Sequence, residues 1–205
     1  MALARKGKIM KECNTSPFLY RLLRPGAVFL FKIMFRPVIK GSENIPETGN
    51  VVLAGNHVAW WDCFIVMAGT KRCIHFLAKK EIFGTRFTNW FFKNAGLIPV
   101  NRQARDKDAL KSAREYLNHG AVVGIFPEGT VIKPEGVNLL PFKMGAVKMA
   151  VDTNTPIVPF TINGRYALFR RKIEIEFHKP YFVEGEDLEE ENITLRRKVS
   201  CKLRG

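Results

Sequence analysis

From about residue 50 onward the chain alternates short apolar runs with amphipathic stretches. Asn50-Val-Val-Leu-Ala-Gly-Asn56 is apolar at nearly every interior position, the pattern of a strand buried on both faces. An apolar helix is predicted from about Asp62 to Ala68, and Cys73-Ile-His-Phe-Leu-Ala78 reads as a second strand. Phe83, Phe87, Trp90 and Phe91 recur at i, i+4, i+7 and i+8, so this segment is an amphipathic helix whose aromatic stripe is expected in the core. Gly96-Leu-Ile-Pro-Val100 is a short strand, and Pro99, with no amide hydrogen to donate, puts it at an edge or bulge. A charged helix over 106–118 ends at His119-Gly120. Ala121-Val-Val-Gly-Ile-Phe126 is the clearest strand, followed by a helix from about Phe142 to Val151. Pro156–Ile162 and Lys172–Phe177 are further strands, and a charged helix starts near Asp187.

Strands alternating with helices predict an α/β fold, a mostly parallel or mixed sheet flanked by helices. Sheets of this kind place chemistry in loops beyond the C-terminal ends of their strands. Three such ends stand out: Gly55-Asn56-His57, Val100-Asn101-Arg102 and Phe126-Pro127-Glu128-Gly129. A chain of 205 residues can bury one good core and is short for two. The expected division is a basic amphipathic arm over residues 1–40 and one α/β domain over 41–205.

Charge changes the picture at the arm. The formal net charge is +14, and residues 1–40 hold nine Lys or Arg against the single acid Glu12. A balance of this sign favours polyanions, anionic lipid or phosphorylated small molecules. Within Pro25–Pro37, Lys32 and Arg36 are four apart, with Phe29, Leu30, Ile33 and Met34 elsewhere around the turn. That pattern suits a helix lying in a membrane interface against an anionic surface, with a helix packed on the core as the alternative. A spanning helix is not expected, because Arg21, Arg24, Lys32 and Arg36 interrupt Phe18–Ile39 and each costs about 2.5–3.5 kcal/mol near a bilayer centre. Residues 1–30 lack the order of a secretory signal, and Cys13, Cys63, Cys73 and Cys201 form no CxxC pair, so reduced thiols are expected.

The motifs exclude several chemistries. None of the four serines sits in GxSxG, no glycines are spaced GxG, and no GK[ST], HExxH or zinc-spaced cysteines occur. What remains is His57-Val-Ala-Trp-Trp-Asp62. Five residues do not share a helical face, but a turn residue and a helix-start residue so spaced can meet. The carboxylate would fix the imidazole tautomer and support proton removal from a hydroxyl; plain capping by Asp62 is the alternative. Phe126-Pro-Glu-Gly-Thr130 follows the clearest strand, where Glu128 could bond hydroxyls and Gly129 admits close approach of a ligand, or the segment is an ordinary turn. Lys79, Arg102 and Lys143 are cations on separate loops, and Arg102 could grip a phosphate with two donors.

In this order, His57-xxxx-Asp62, Gly96-Leu-Ile-Pro-Val-Asn-Arg102, Phe126-Pro-Glu-Gly-Thr130 and Val158-Pro-Phe-Thr-Ile162 form four blocks. The chain resembles the glycerolipid acyltransferases, in particular the 1-acylglycerol-3-phosphate (lysophosphatidate) acyltransferases. Lys40-Gly-Ser-Glu-Asn-Ile-Pro46 and Leu140-Pro-Phe-Lys-Met-Gly-Ala146 look like that family too, and the likeness spans about residues 38–163.

The resemblance implies transfer of a fatty acyl group from an acyl thioester, on acyl carrier protein or coenzyme A, to a lysophospholipid in phospholipid synthesis. It implies His57 as general base and Asp62 as its support. It also implies Arg102 with Glu128, Gly129 and Thr130 at the glycerol phosphate, and Lys79 and Lys143 as further cations. No metal and no cofactor beyond the thioester is implied, and the expected location is peripheral, at the cytoplasmic face of a membrane. One departure concerns the acceptor: where the family commonly has Arg after Thr, this chain has Val131. The phosphate grip of that Arg is missing unless Lys133 or Lys143 replaces it. The alternatives are an acyltransferase for glycerol-3-phosphate, another lyso-lipid or a non-lipid alcohol or amine, and a non-catalytic basic protein binding membrane or nucleic acid.

Overall fold

The computed structural model of the chain describes residues 17–100, 107–170, 172–185 and 187–203. Helix α1 (Phe18–Phe35) leads into β1 (Val38–Lys40), a 3-10 turn (Ser42–Asn44), β2 (Val51–Gly55) and α2 (Asp62–Ala68). Next come β3 (Ile74–Lys79), a 3-10 turn (Lys80–Phe83), α3 (Arg86–Asn94), β4 (Ile98–Val100), α4 (Lys107–Asn118) and β5 (Val122–Ile125). Helix α5 (Gly145–Asp152), β6 (Ile157–Gly164), β7 (Ile173–Phe177) and α6 (Leu188–Ser200) complete the order.

The strands form one seven-stranded sheet in the order β1-β7-β6-β2-β5-β3-β4. β6, β2, β5, β3 and β4 are mutually parallel, while β7 returns antiparallel to β6 and takes β1 as a parallel neighbour. The sheet is therefore mixed, and the α/β expectation holds. At its centre all five residues of β2 are buried. Val51 and Leu53 join one apolar layer with Phe31, Ile65, Val66 and Phe160. Val52 and Ala54 join the other, with Ala113, Leu117, Val147, Met149 and Leu195. Helices α1 and α2 thus cover one face, and α4, α5 and α6 the other. Burial on both faces is why 51–55 is uniformly apolar rather than alternating. Pro99 sits in β4 at the sheet edge, as its missing amide requires.

Helix α1 begins at Phe18 and runs through Pro25. An interior proline costs about 3 kcal/mol. Tyr20, Val28, Phe31 and Phe35 are buried on the core side, each contributing roughly 1.5–3 kcal/mol, so packing outweighs the break. The Arg24 guanidinium also donates to Met67 O at 2.8 Å and to Thr70 O, binding α1 to the end of α2. Arg36 leaves the helix in a left-handed conformation (φ 44°), so it and Lys32 do not share a helical face as their spacing suggests.

The aromatic helix departs from expectation. Phe83 is buried in the preceding 3-10 turn, but no residue of α3 is, and Phe87 and Trp90 are 69% and 57% exposed. The segment follows β3 and precedes β4, the last strand of the sheet, and packs chiefly on the turn before it and on α1, which leaves its aromatic stripe outside the core.

Candidate active site

The loops after the parallel strands β2, β5 and β6 converge on His57 and Asp62. The backbone ladder of β2 stops at Gly55, and the buried Asn56 side chain prolongs it. Asn56 Nδ2 donates to Ile162 O (2.8 Å), and its Oδ1 accepts from Ile162 N (2.7 Å). With β2 and β6 fastened in this way, the main chain is free to turn, and His57 leaves the sheet at its edge.

Asp62 opens α2, and its carboxylate points back into the turn. Its Oδ2 lies 2.6 Å from His57 Nδ1 and accepts from the amides of Val58 (2.6 Å) and Ala59 (2.9 Å). An ionised carboxylate only accepts, so Nδ1 holds the imidazole proton and Nε2 presents a lone pair. Among the described residues Nε2 has no hydrogen-bond partner. The ring is 10% exposed and stacks on Phe126, centroids 4.0 Å apart and planes within 10°. Five residues thus close a buried His–Asp pair at a strand–helix junction. The side chain serves the turn and the histidine rather than the amides of its own helix. Because Val58 and Ala59 donate to Asp62, those two amides are not free to stabilise an oxyanion.

Glu128, expected at the glycerol phosphate, is turned into the protein. Its Oε1 accepts from the His57 amide (2.7 Å) and Oε2 from the Leu140 amide (2.8 Å). Lys133 Nζ lies 3.0 Å from Oε1 and 2.9 Å from Oε2, and it also donates to Asn138 O (2.8 Å). Both oxygens are thus engaged within the chain, with the Glu128 side chain fully buried and that of Lys133 11% exposed. Lys133 is committed here, which withdraws it as a replacement for an arginine at Val131.

Gly129 turns with φ +71°, a conformation costly to any other residue, and a side chain built there would fall 3.0 Å from Lys143 Nζ. The Thr130 hydroxyl accepts from the Ile132 amide (3.1 Å), closing the turn. The Lys143 amide donates to Pro127 O (3.0 Å). Its ammonium lies over Gly129 with no ion-pair partner among the described residues. Lys79 is exposed at the C-terminal end of β3, beside Val100 of β4. Arg102 lies outside the described residues. The structure therefore gathers His57, Asp62 and Glu128 into one cluster, sets Gly129, Thr130 and Lys143 along the adjoining turn, and leaves Lys79 at the same edge of the sheet.

Two residues of the cluster were not singled out from sequence. Asn56 carries a weak signal, an amide at the end of an otherwise apolar run. Tyr166, whose hydroxyl donates to Asp62 Oδ1 (2.7 Å), comes from 104 positions away and carries none.

Residues 36–163, more than half of the chain, match the family model described as Acyltransferase. The chain is 36% identical over 142 residues to a 1-acyl-sn-glycerol-3-phosphate acyltransferase of Borreliella burgdorferi, covering 66% of this chain and 54% of that protein. It is 32% identical over 127 residues to the Bacillus subtilis protein of the same name, covering 62% of each. Among solved structures it is similar to the 1-acyl-sn-glycerophosphate acyltransferase PlsC of Thermotoga maritima, with a TM-score of 0.67 and 27% identity over 89% of this chain and 76% of that one. The chain spans between about half and three-fifths of the length of these two curated relatives. The matched stretch contains His57, Asp62 and Glu128 in the order and spacing of the blocks above, and this chain belongs to the acyltransferase family.

Proposed function

We propose that the chain is a 1-acylglycerol-3-phosphate O-acyltransferase. It moves a fatty acyl group from an acyl thioester, on acyl carrier protein or coenzyme A, to the free hydroxyl of lysophosphatidate, giving phosphatidic acid. The observation that carries this reading is the His57–Asp62 pair, its Nε2 without a hydrogen-bond partner among the described residues, in a chain of this family.

His57 Nε2 takes the hydroxyl proton as that oxygen attacks the thioester carbonyl. The new C–O bond pushes the carbonyl electrons onto oxygen, and collapse of the tetrahedral intermediate breaks the C–S bond. The proton on Nε2 then passes to the departing thiolate. Asp62 holds the reactive tautomer and stabilises the imidazolium. Arg102, Lys79 and Lys143 supply positive charge for the glycerol phosphate, beside the Gly129-Thr130 turn, and Glu128 acts through the His57 backbone. No cofactor other than the thioester co-substrate enters this scheme.

The reaction is read as interfacial. On α1, Phe18, Leu22, Phe29, Leu30 and Ile33 are exposed beside Arg21 and Lys32, and Phe87 and Trp90 are exposed on α3. Trp60 and Trp61, between His57 and Asp62, are 73% and 47% exposed, and Trp61 packs on Phe35 of α1 at 5.7 Å. Exposed aromatics with basic neighbours suit the head-group layer, where each cation adds about 1 kcal/mol on anionic lipid. Among the described residues no helix is long and apolar enough to cross a membrane. The exposed aromatic and basic residues support peripheral docking that presents the site to lipid, and the proposed location is the cytoplasmic face of the membrane.

Val131 favours a second reading in which the acceptor's head group differs from a phosphate monoester, as in another lyso-lipid or a non-lipid alcohol or amine. Thiol release from acyl carrier protein and coenzyme A thioesters, with vesicles and a panel of acceptors, separates the two. Release that needs lysophosphatidate and disappears in His57→Ala is expected. Release with other acceptors alone would select the second reading, and undiminished transfer by folded His57→Ala would remove His57 as base. Vesicle and DNA binding without any thioester consumption would leave a non-catalytic basic protein.

A further inference from the structure

Asp62 is fully buried, and its two oxygens have different partners. Oδ2 receives His57 and two backbone amides, whereas Oδ1 receives the Tyr166 hydroxyl at 2.7 Å. Tyr166 stands two residues beyond β6. Its ring meets Phe31 and Phe35 of α1 edge-on, at 6.0 and 5.3 Å between centroids. The same loop is tied to the end of α1 by the Phe169 amide, which donates to Met34 O at 2.5 Å.

We propose that Tyr166 is a positioning residue for acyl transfer, whose hydroxyl orients the Asp62 carboxylate and tempers the proton affinity of the His57–Asp62 pair. The proposal rests on the reading of His57 as base.

Orientation follows from the partner sets. With Oδ1 bonded to Tyr166 and Oδ2 to three donors, rotation of the carboxylate would sacrifice all four contacts, so Oδ2 stays on Nδ1 and Nε2 keeps its direction. Proton affinity follows from charge. A hydrogen bond to a carboxylate is strongest while that charge is uncompensated, which here means while His57 is neutral. Once His57 is protonated the pair is neutral overall, and the bond from Tyr166 weakens. Loss of the hydroxyl therefore destabilises the proton-free pair more than the protonated one, and proton affinity rises. Burial first, and then the Asp62 charge, push the Tyr166 hydroxyl well above its ordinary pKa, so it remains a donor throughout. The other titratable groups around the pair are accounted for. Burial, reinforced by Asp62, pushes the Cys63 thiol up to about 12, so it stays neutral, while Glu128 bonds the His57 amide and is tied to Lys133 with or without the tyrosine oxygen.

The variant that isolates the hydroxyl is Tyr166→Phe, which keeps the ring against Phe31 and Phe35. Rates are measured from pH 5 to 9 with the full chain, vesicles, acyl thioester and lysophosphatidate, beside wild type and His57→Ala. The expected result is a kcat lower by roughly 5- to 50-fold, because a carboxylate no longer held in one orientation misaligns the His57 base by more than the rise in basicity offsets. Both KM values should stay within about twofold, since a group that acts through Asp62 leaves substrate binding alone. The acid limb of the kcat profile should move up by roughly half to one pH unit. In the resting protein, NMR titration of the His57 ring should show the same upward movement, independent of turnover. Unchanged kcat and an unmoved titration in folded Tyr166→Phe would overturn the proposal while His57→Ala stays inactive. Loss confined to KM with an unshifted profile would overturn it equally. Transfer by His57→Ala would instead remove the base reading, and the proposal with it.

Discussion

Glu128→Gln separates two roles for the same carboxylate. If Glu128 touched the glycerol, an isosteric amide would weaken acceptor binding and leave the fold intact. The contacts of Glu128 lead to a different expectation. Glutamine keeps one oxygen, so either the His57 or the Leu140 amide would face an NH2 group, at about 1–3 kcal/mol for a buried unsatisfied donor. Lys133, its side chain 11% exposed, would also lose its counter-ion, and breaking a buried pair from one side costs about 3–5 kcal/mol. The two losses share one group and overlap, so a total of about 3–5 kcal/mol is reasonable. At about 2–4 °C per kcal/mol for a chain of this length, Tm should fall by roughly 6–20 °C. kcat should fall with it, because the His57 backbone is no longer held. Adding Lys133→Met to Glu128→Gln removes the orphaned cation and should restore roughly half of the lost Tm, since deleting both partners is far cheaper than deleting one. Thermal unfolding by circular dichroism and acceptor-dependent kinetics on the same preparations provide both readouts. A variant with Tm within about 2 °C of wild type, and its defect wholly in the acceptor KM, would refute the inward-facing role.

Asn56→Leu keeps the branched outline of the side chain but strands the Ile162 amide and carbonyl, at about 2–4 kcal/mol in total, and should lower Tm by roughly 4–16 °C; an unchanged Tm would mean the bridge between β2 and β6 contributes nothing. His178 should set an acid limit to stability. Burial holds its pKa below the ordinary imidazole value, and its Nε2 lies 2.8 Å from Thr161 Oγ1, a hydroxyl that itself donates to Val199 O. Below pH of about 6.5 the unfolded chain takes the proton first, so stability that is whole above that value is lost as pH falls toward the lower folded pKa. A series of Tm measurements between pH 7 and 5 should show this slope, and His178→Gln should flatten it.

The parallel core of the sheet and the His57–Asp62 spacing were legible because both are local. Apolar runs such as 51–55 and 121–126 announce strands buried on both faces, and a turn followed by a helix start needs only six consecutive residues. Three features were not legible, for one shared reason. The three residues of β1 are too few for a periodic signal and depend on pairing with β7, 136 positions later. The exposure of Phe87 and Trp90 depends on the place of α3 between β3 and the edge strand β4, which helical periodicity does not encode. Glu128 lies at the end of a legible strand, yet its partners His57 and Leu140 are 71 and 12 residues away, and their direction decides whether the carboxylate meets substrate or backbone.

Two carboxylates, neither of them exposed, thus hold His57 from opposite ends: Asp62 grips the ring at Nδ1, and Glu128 grips the backbone amide. Each is fixed in turn by a segment remote in sequence, Tyr166 beyond β6 for Asp62 and Lys133 with the Leu140 amide for Glu128. The arrangement explains how a site rimmed by exposed tryptophans can keep one imidazole nitrogen aimed outward without a rigid helix beneath it. It also bears on Val131. With Lys133 drawn inward to neutralise Glu128, Lys143 is, among the described residues, the cation over the Gly129 turn. An anionic head group at that turn would therefore meet the Lys143 ammonium, and in the proposed scheme the planar fork of an arginine comes from Arg102. A point charge of this kind attracts a phosphate without imposing its orientation, so in the proposed scheme the orientation of the head group falls to the two donors of Arg102.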